Sequence, residues 1–173
     1  MKKIIVGIDN DCSGAIAALS REGKFVLLEP VRITKDGRRL LLDIPGNQAI
    51  LKQISTLAGG NSEVMVVCEK QQLNPGFGAK TASAGGRNAE FWRVLTALMG
   101  LAHSTLHART WQAGLLNVFR DSLTPRPDTK KTAELYIADR YPDLDLKSRY
   151  NAKQREAITD AMCLALWAQM IQP

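Results

Sequence analysis

Apolar residues fall in short dense blocks along the chain, separated by glycine, proline and charged clusters. Residues 3–9 are β-branched and apolar without alternation, which predicts a buried strand. Residues 13–20, with small side chains, predict a second strand. Residues 21–24 read as a hairpin turn with Gly23 supplying positive φ, and residues 24–30 as a third strand. The chain therefore opens as an antiparallel meander. Residues 31–45 are less clear, with a turn at 35–38 and a short strand at 39–44. Residues 46–58 carry Ile50, Ile54 and Leu57 at helical spacing, ended by Gly59-Gly60-Asn61. Residues 63–69 form another buried strand.

The stretch 70–86 is rich in Gly, Ala and Ser and reads as a long loop, a feature that usually serves function. A helix follows over 88–102, with Phe91, Trp92, Val94, Leu95, Leu98, Met99 and Leu101 on an apolar face wider than one contact needs. Residues 104–108 suit a short strand, and a helix starts near Trp111. Two prolines make 123–128 a loop. Asp128 caps a helix that reaches Arg140, where Tyr141-Pro142 stops it. The final helix covers 152–171. The pattern predicts an α/β fold: a mixed five-stranded sheet (antiparallel meander plus parallel strands) flanked by helices on both faces, in a single domain over 1–173. The first strand and the strand at 63–69 would be parallel neighbours, with their carboxyl ends side by side.

Acidic residues stand at the ends of these apolar elements. Asp9 closes the first strand, Glu69 closes the strand at 63–69, and Glu156 and Asp160 open the last helix. Glu156 and Asp160 are four residues apart, so they share a helix face about 6 Å of rise apart. Asp160 also shares a stripe with Leu164, Trp167 and Ile171, which should face the core. A carboxylate on a buried element is costly unless a cation meets it. Each acid has an ordinary structural explanation: an Asx turn for Asp9 and Asp11, a solvated strand end for Glu69, a helix dipole for Glu156. All of them together point instead to divalent metal ions and phosphodiester hydrolysis. Two Mg²⁺ ions about 3.5–4 Å apart, with Mn²⁺ as a substitute, need a bridging carboxylate. Asp9 suits the bridge, Glu69 and Asp160 the flanks, and Asp11 and Glu156 the outer shell. His103 and His107 flank a strand and read as structural.

The chain has 173 residues, a net charge of +6 and a pI near 9.4, which suits a polyanionic partner. Its acidic site makes the remaining surface more basic still. Lys70, Lys80 and Arg87 lie in or beside the long loop. Arg126, Lys130 and Lys131 cluster at a helix start that also favours phosphate. Lys147, Arg149, Lys153 and Arg155 precede the last acid pair. Lys130 or Lys131 is the candidate to stabilise charge at the scissile phosphate. Cys12, Cys68 and Cys163 are odd in number and lack a CxxC spacing, which argues against disulfides and zinc and for a cytoplasmic protein. The segment after Met1-Lys2-Lys3 is too short for a signal-peptide core, and no apolar stretch suits a membrane span.

These residues resemble RuvC-type Holliday junction resolvases of the RNase H-like superfamily. The likeness lies in Ile5-Val6-Gly7-Ile8-Asp9, in the strand ending at Glu69, and in Thr159-Asp160-Ala161-Met162-Cys163-Leu164-Ala165. The segment from Gly7 to Ala15 looks closest to the phage and chloroplast branch, with its Asp-x-Asp-x-Ser-Gly pattern and the Glu-x-x-x-Asp pair of Glu156 and Asp160. The resemblance implies symmetric nicking of four-way DNA junctions by a homodimer. It departs from bacterial relatives in Asn10-Asp11, where they have Pro-Gly, in Ala157, where they have an acid or His, and in Gln71-Gln72, where many have an aromatic wedge. Phe77 comes later.

Three other readings compete. A nuclease of the same fold acting on other branched DNA or RNA–DNA hybrids would use the same acids. An actin-like ATPase shares a phosphate-binding hairpin resembling Gly7-Ile8-Asp9 and Ser13-Gly14, but needs two such domains to enclose a nucleotide cofactor. A non-catalytic DNA-binding relative fits poorly with an intact acid set.

Overall fold

Five strands form one sheet in the order β3-β2-β1-β6-β7, where β1 is Ile4–Ile8, β2 Ala15–Ser20, β3 Phe25–Pro30, β6 Val64–Lys70 and β7 Ala102–His107. The computed structural model describes residues 2–70, 78–125 and 127–171, and the side chains of residues 79–81 and 118 lie outside that description. β1, β2 and β3 pair antiparallel, whereas β1, β6 and β7 run parallel. Every residue of β1 is buried, as its unbroken apolar run requires. Ile8 pairs with Cys68, so the next residues along the two strands are Asp9 and Glu69. The expected mixed five-stranded sheet is the one observed.

Alternate residues of each strand feed two cores. Ile5, Ala17, Leu19 and Val67 face α6 (Ala152–Ile171), α3 (Ala108–Asp121) and α4 (Thr129–Arg140). Ile4, Val6, Ile8, Val64 and Val66 face α1 (Ile44–Ala58) and α2 (Ala79–Leu98). Helices therefore cover both faces. α6 is buried almost all round because the sheet lies on one side and α3 and α4 on the other. It approaches β1 closely: a Cβ on Gly7 would lie 2.0 Å from the Ala161 carbonyl oxygen. Only glycine admits that contact.

Several elements differ from the sequence pattern. The stretch 70–86 is helical from Ala79 onward, because the Ala-rich run through 84 outweighs Gly85 and Gly86 once α2 packs on the sheet. The same helix stops at Leu98, four residues short of the expected end. Its wide apolar face splits: Trp92 and Leu95 are buried, while Val94 is 40% and Leu98 80% exposed. Leu57 and Ile171 are also exposed, so neither belongs to the core. Leu51 and Ala58 take the core positions in α1 beside Ile50 and Ile54. Residues 31–45 hold a separate two-stranded hairpin, β4 (Ile33–Asp36) with β5 (Arg39–Leu42). A short helix, α5 (Leu146–Arg149), precedes α6. Cys68 and Cys163 are buried, Cys12 is partly buried, and all three are free thiols. No described helix is long and apolar enough to cross a membrane.

Candidate metal centre

Asp9 follows directly on β1, where the chain turns into β2. The turn is tight: the Asp9 amide donates to Ala15 O at 3.0 Å, and Gly14 N donates to Asp11 O at 2.9 Å. A Cβ on Gly14 would lie 2.0 Å from Asp9 O, so the glycine of the motif is required by backbone proximity. Asn10, 5% exposed, sends its Nδ2 to the Glu69 carbonyl at 2.9 Å. That bond locks the β1–β2 turn to the end of β6. Glu69 is held a second time, by the indole N–H of Trp111, which donates to its Oε2 at 3.4 Å. Trp111 is almost fully buried on α3. Asn10 and Trp111 both escape sequence reasoning. One reads only as a turn residue and the other only as a helix start.

Asp160 reaches the same place from α6. Its exposure is intermediate, while its neighbours Thr159 and Ala161 are buried. The three acids feel one another. Burial, then Asp160, Asp11 and Glu69, raise the Asp9 carboxyl to about 8, and a backbone hydrogen bond from Asp11 works in the opposite direction. Burial, then Glu69 and Glu156, raise Asp160 to about 7, against the pull of Lys130. Burial also raises Glu69, opposed by the Trp111 hydrogen bond. Asp9 and Glu69 thus stand at neighbouring strand ends, and Asp160, coming from α6, adds its charge to theirs.

The outer residues sort differently. Asp11 is exposed and accepts a 3.4 Å hydrogen bond from Asn88 Nδ2 on α2. Glu156 sits in the second turn of α6, not at its start, so it is no helix-entry acid. It forms an ion pair and hydrogen bond with Lys130, the second residue of α4. Lys130 also acts on Asp160, whereas Lys131 pairs with Glu134 at 3.0 Å, one turn along its own helix. Lys130 is therefore the cation beside the acids. Arg87 lies near Cys12 and so near the Asp9 turn. Lys70 and Lys153 are exposed. The Lys80 side chain, Arg126, Gln71, Gln72 and Phe77 lie outside the described residues.

Among the described residues, no three His, Cys, Asp or Glu side chains form a ready-made metal cage. Mg²⁺ does not need one, because it keeps several waters and is held through one or two carboxylates plus substrate phosphates. The donor set fits a hard divalent cation in chemistry and in charge. All donors are carboxylate oxygens, and their mutual repulsion is what a bound cation relieves.

No protein-family model and no curated protein sequence matches the chain. Solved structures do. The chain is similar to one described as T. thermophilus RuvC in complex with Holliday junction substrate, at a TM-score of 0.61 and 14% identity, covering 97% of this chain and 96% of that one. It is also similar to a Thermus thermophilus RuvC structure, at a TM-score of 0.55 and 13% identity, covering 96% of each chain. At this level of identity the likeness concerns the fold, a mixed five-stranded sheet flanked by helices that this chain shares with those RuvC structures.

Proposed function

We propose that the protein is a divalent-metal-dependent endonuclease that nicks four-way DNA junctions symmetrically. The observation that carries this reading is that Asp9 and Glu69 stand side by side at the carboxyl ends of parallel β1 and β6, with Asp160 on α6, which packs against β1 at Gly7. The likeness in fold to a protein solved with a Holliday junction supports the choice of substrate.

Asp9, Glu69 and Asp160 would hold a pair of Mg²⁺ or Mn²⁺ ions, with Asp9 as the central carboxylate. Bound ions of this kind supply an activated water and neutralise charge on the leaving oxygen. The chain's own residues do the rest. Trp111 fixes one oxygen of Glu69, and Asn10 fixes the backbone beneath it. Lys130, held by Glu156, presents positive charge where a scissile phosphate would lie. Asp11 and Glu156 complete the outer shell. Lys70, Lys80, Arg87, Lys131 and Lys153 would hold the DNA backbone, and binding would weaken steeply with salt. Two copies, each making one nick, suit a symmetric junction, and exposed Val94 and Leu98 one turn apart on α2 give a surface for pairing. The Asp-x-Asp-x-Ser-Gly turn and the Glu156–Asp160 pair favour the phage and chloroplast branch.

The test is cleavage of a synthetic four-way junction, with duplex, flap and RNA–DNA hybrid alongside, in Mg²⁺ and Mn²⁺. Preferential paired nicking of the junction is expected. Equal cutting of duplex and junction defeats the junction assignment and leaves a general nuclease. No cutting of any substrate defeats both.

A further inference from the structure

The β4–β5 hairpin projects from the body of the protein with β4 fully exposed, yet its base is fixed with unusual care. Asn47 on α1 is completely buried. Its side chain accepts from Arg32 N at 2.9 Å and donates to Arg32 O at 2.8 Å and Asp43 O at 2.7 Å. Arg32 and Asp43 flank the two strands, and the Asp43 amide donates to Arg32 O at 2.9 Å. One buried amide therefore clamps both legs. A two-stranded hairpin is marginal by itself in water, so such anchoring is what keeps this one in place.

The anchored hairpin stands beside the acid site. The Cys12 thiol lies 3.5 Å from Leu40 O on β5, and Cys12 belongs to the turn that carries Asp9 and Asp11. On the far side of Cys12 is Asn88, which bonds Asp11. The tip carries Lys35, Arg38 and Arg39 against a single acid, Asp36, and all four are exposed. Among the described residues none of the three cations forms an ion pair. Arg38 is two residues from Leu40, about 7 Å along a strand. The tip is thus within reach of the phosphates that neighbour a scissile one at the acids. Positive side chains with no ion-pair partner among the described residues, held on an anchored arm beside an acidic turn, match a phosphate backbone.

We propose that Lys35, Arg38 and Arg39 form a backbone clamp that grips the DNA strand next to the cleaved bond. This inference rests on the nuclease reading and adds a binding element to it. The probe is a labelled four-way junction, titrated with full-length protein in EDTA over a range of NaCl concentrations. The combined variant Lys35→Ala/Arg38→Ala/Arg39→Ala should bind about 10- to 100-fold more weakly near 0.1 M salt, with the slope of log affinity against log salt reduced by about 2–3. A control of equal charge, Arg21→Ala/Lys24→Ala/Lys52→Ala, removes cations from the opposite end of the sheet and from α1, and should keep the wild-type slope. Thermal melting checks that both variants fold. A wild-type slope in the hairpin variant overturns the clamp while leaving the nuclease reading intact, as does an equal loss in the control. Absence of any DNA binding by the wild-type protein overturns both.

Discussion

Gly7 on β1 lies against Ala161 on α6 so closely that a methyl group on Gly7 would overlap the Ala161 carbonyl, at 2.0 Å, and crowd the Ala165 amide, at 2.7 Å. Ala161 follows Asp160 and Gly7 lies two residues before Asp9, so this contact sets the spacing between the two acids. Gly7→Ala must push α6 off the sheet, since backbone atoms on both sides cannot yield separately. The expected cost is about 3 kcal/mol of stability, read by chemical denaturation. Cleavage should fall further than stability alone explains, because Asp160 moves away from Asp9.

Asp9→Asn and Glu69→Gln keep size and shape and remove charge. Each should lower junction cleavage by at least about 1000-fold while junction affinity in EDTA stays within a few fold. Normal cleavage by both variants would show that these acids are not the metal ligands.

The raised carboxyls give a pH signature. Asp9 stands at about 8 and Asp160 at about 7, against an ordinary 3.8, and Glu69 is raised as well. An acid raised in the folded state holds its proton there at pH values where the unfolded chain has lost it, so stability declines as pH rises between the two values. Metal-free protein should therefore lose Tm from about pH 4 to about pH 8. Burial lowers His103 and opposes this trend in the acid range, so the comparison that isolates the site is with Asp9→Asn, whose Tm should fall less. Saturating Mg²⁺ should raise Tm more at about pH 8.5 than at about pH 6. Equal slopes for the two proteins would count against the coupled-acid description.

Lys130 and Lys131 are adjacent in sequence but face different partners, Glu156 and Glu134. Lys130→Ala should slow cleavage about 100-fold at saturating protein. Lys131→Ala should show a much smaller loss, expressed in affinity. Equal losses would mean that neither lysine has a privileged position.

Trp111→Phe retains most of the buried ring and removes the donor to Glu69. Cleavage should fall about 10-fold, with the Mg²⁺ concentration for half-maximal activity rising, as for other groups that orient a ligand. An unchanged metal requirement would reduce Trp111 to a packing role.

Much of the fold was legible in the sequence because β1 and most of β6 are unbroken apolar runs and the last helix is strongly apolar from Ala161 to Ala168. Asp9 and Glu69 could be paired from the parallel order of their strands alone. The rest depends on tertiary partners. α2 begins in a stretch of Gly, Ala and Ser whose local preference is weak, so packing decides its start. The hairpin over 33–42 was only half visible because its register depends on Asn47, a residue in the following helix. Trp111 gave no local sign that its indole N–H meets Glu69, since that contact joins residues far apart in the chain. Exposed Ile171 obeys helical spacing but is the last residue of α6, where periodicity no longer reports burial.

The completely buried Asn47 ties Arg32 and Asp43 together at the foot of the β4–β5 hairpin. Any swing of that arm must break hydrogen bonds inside the core, so its direction is inherited from α1 and not from its own turn.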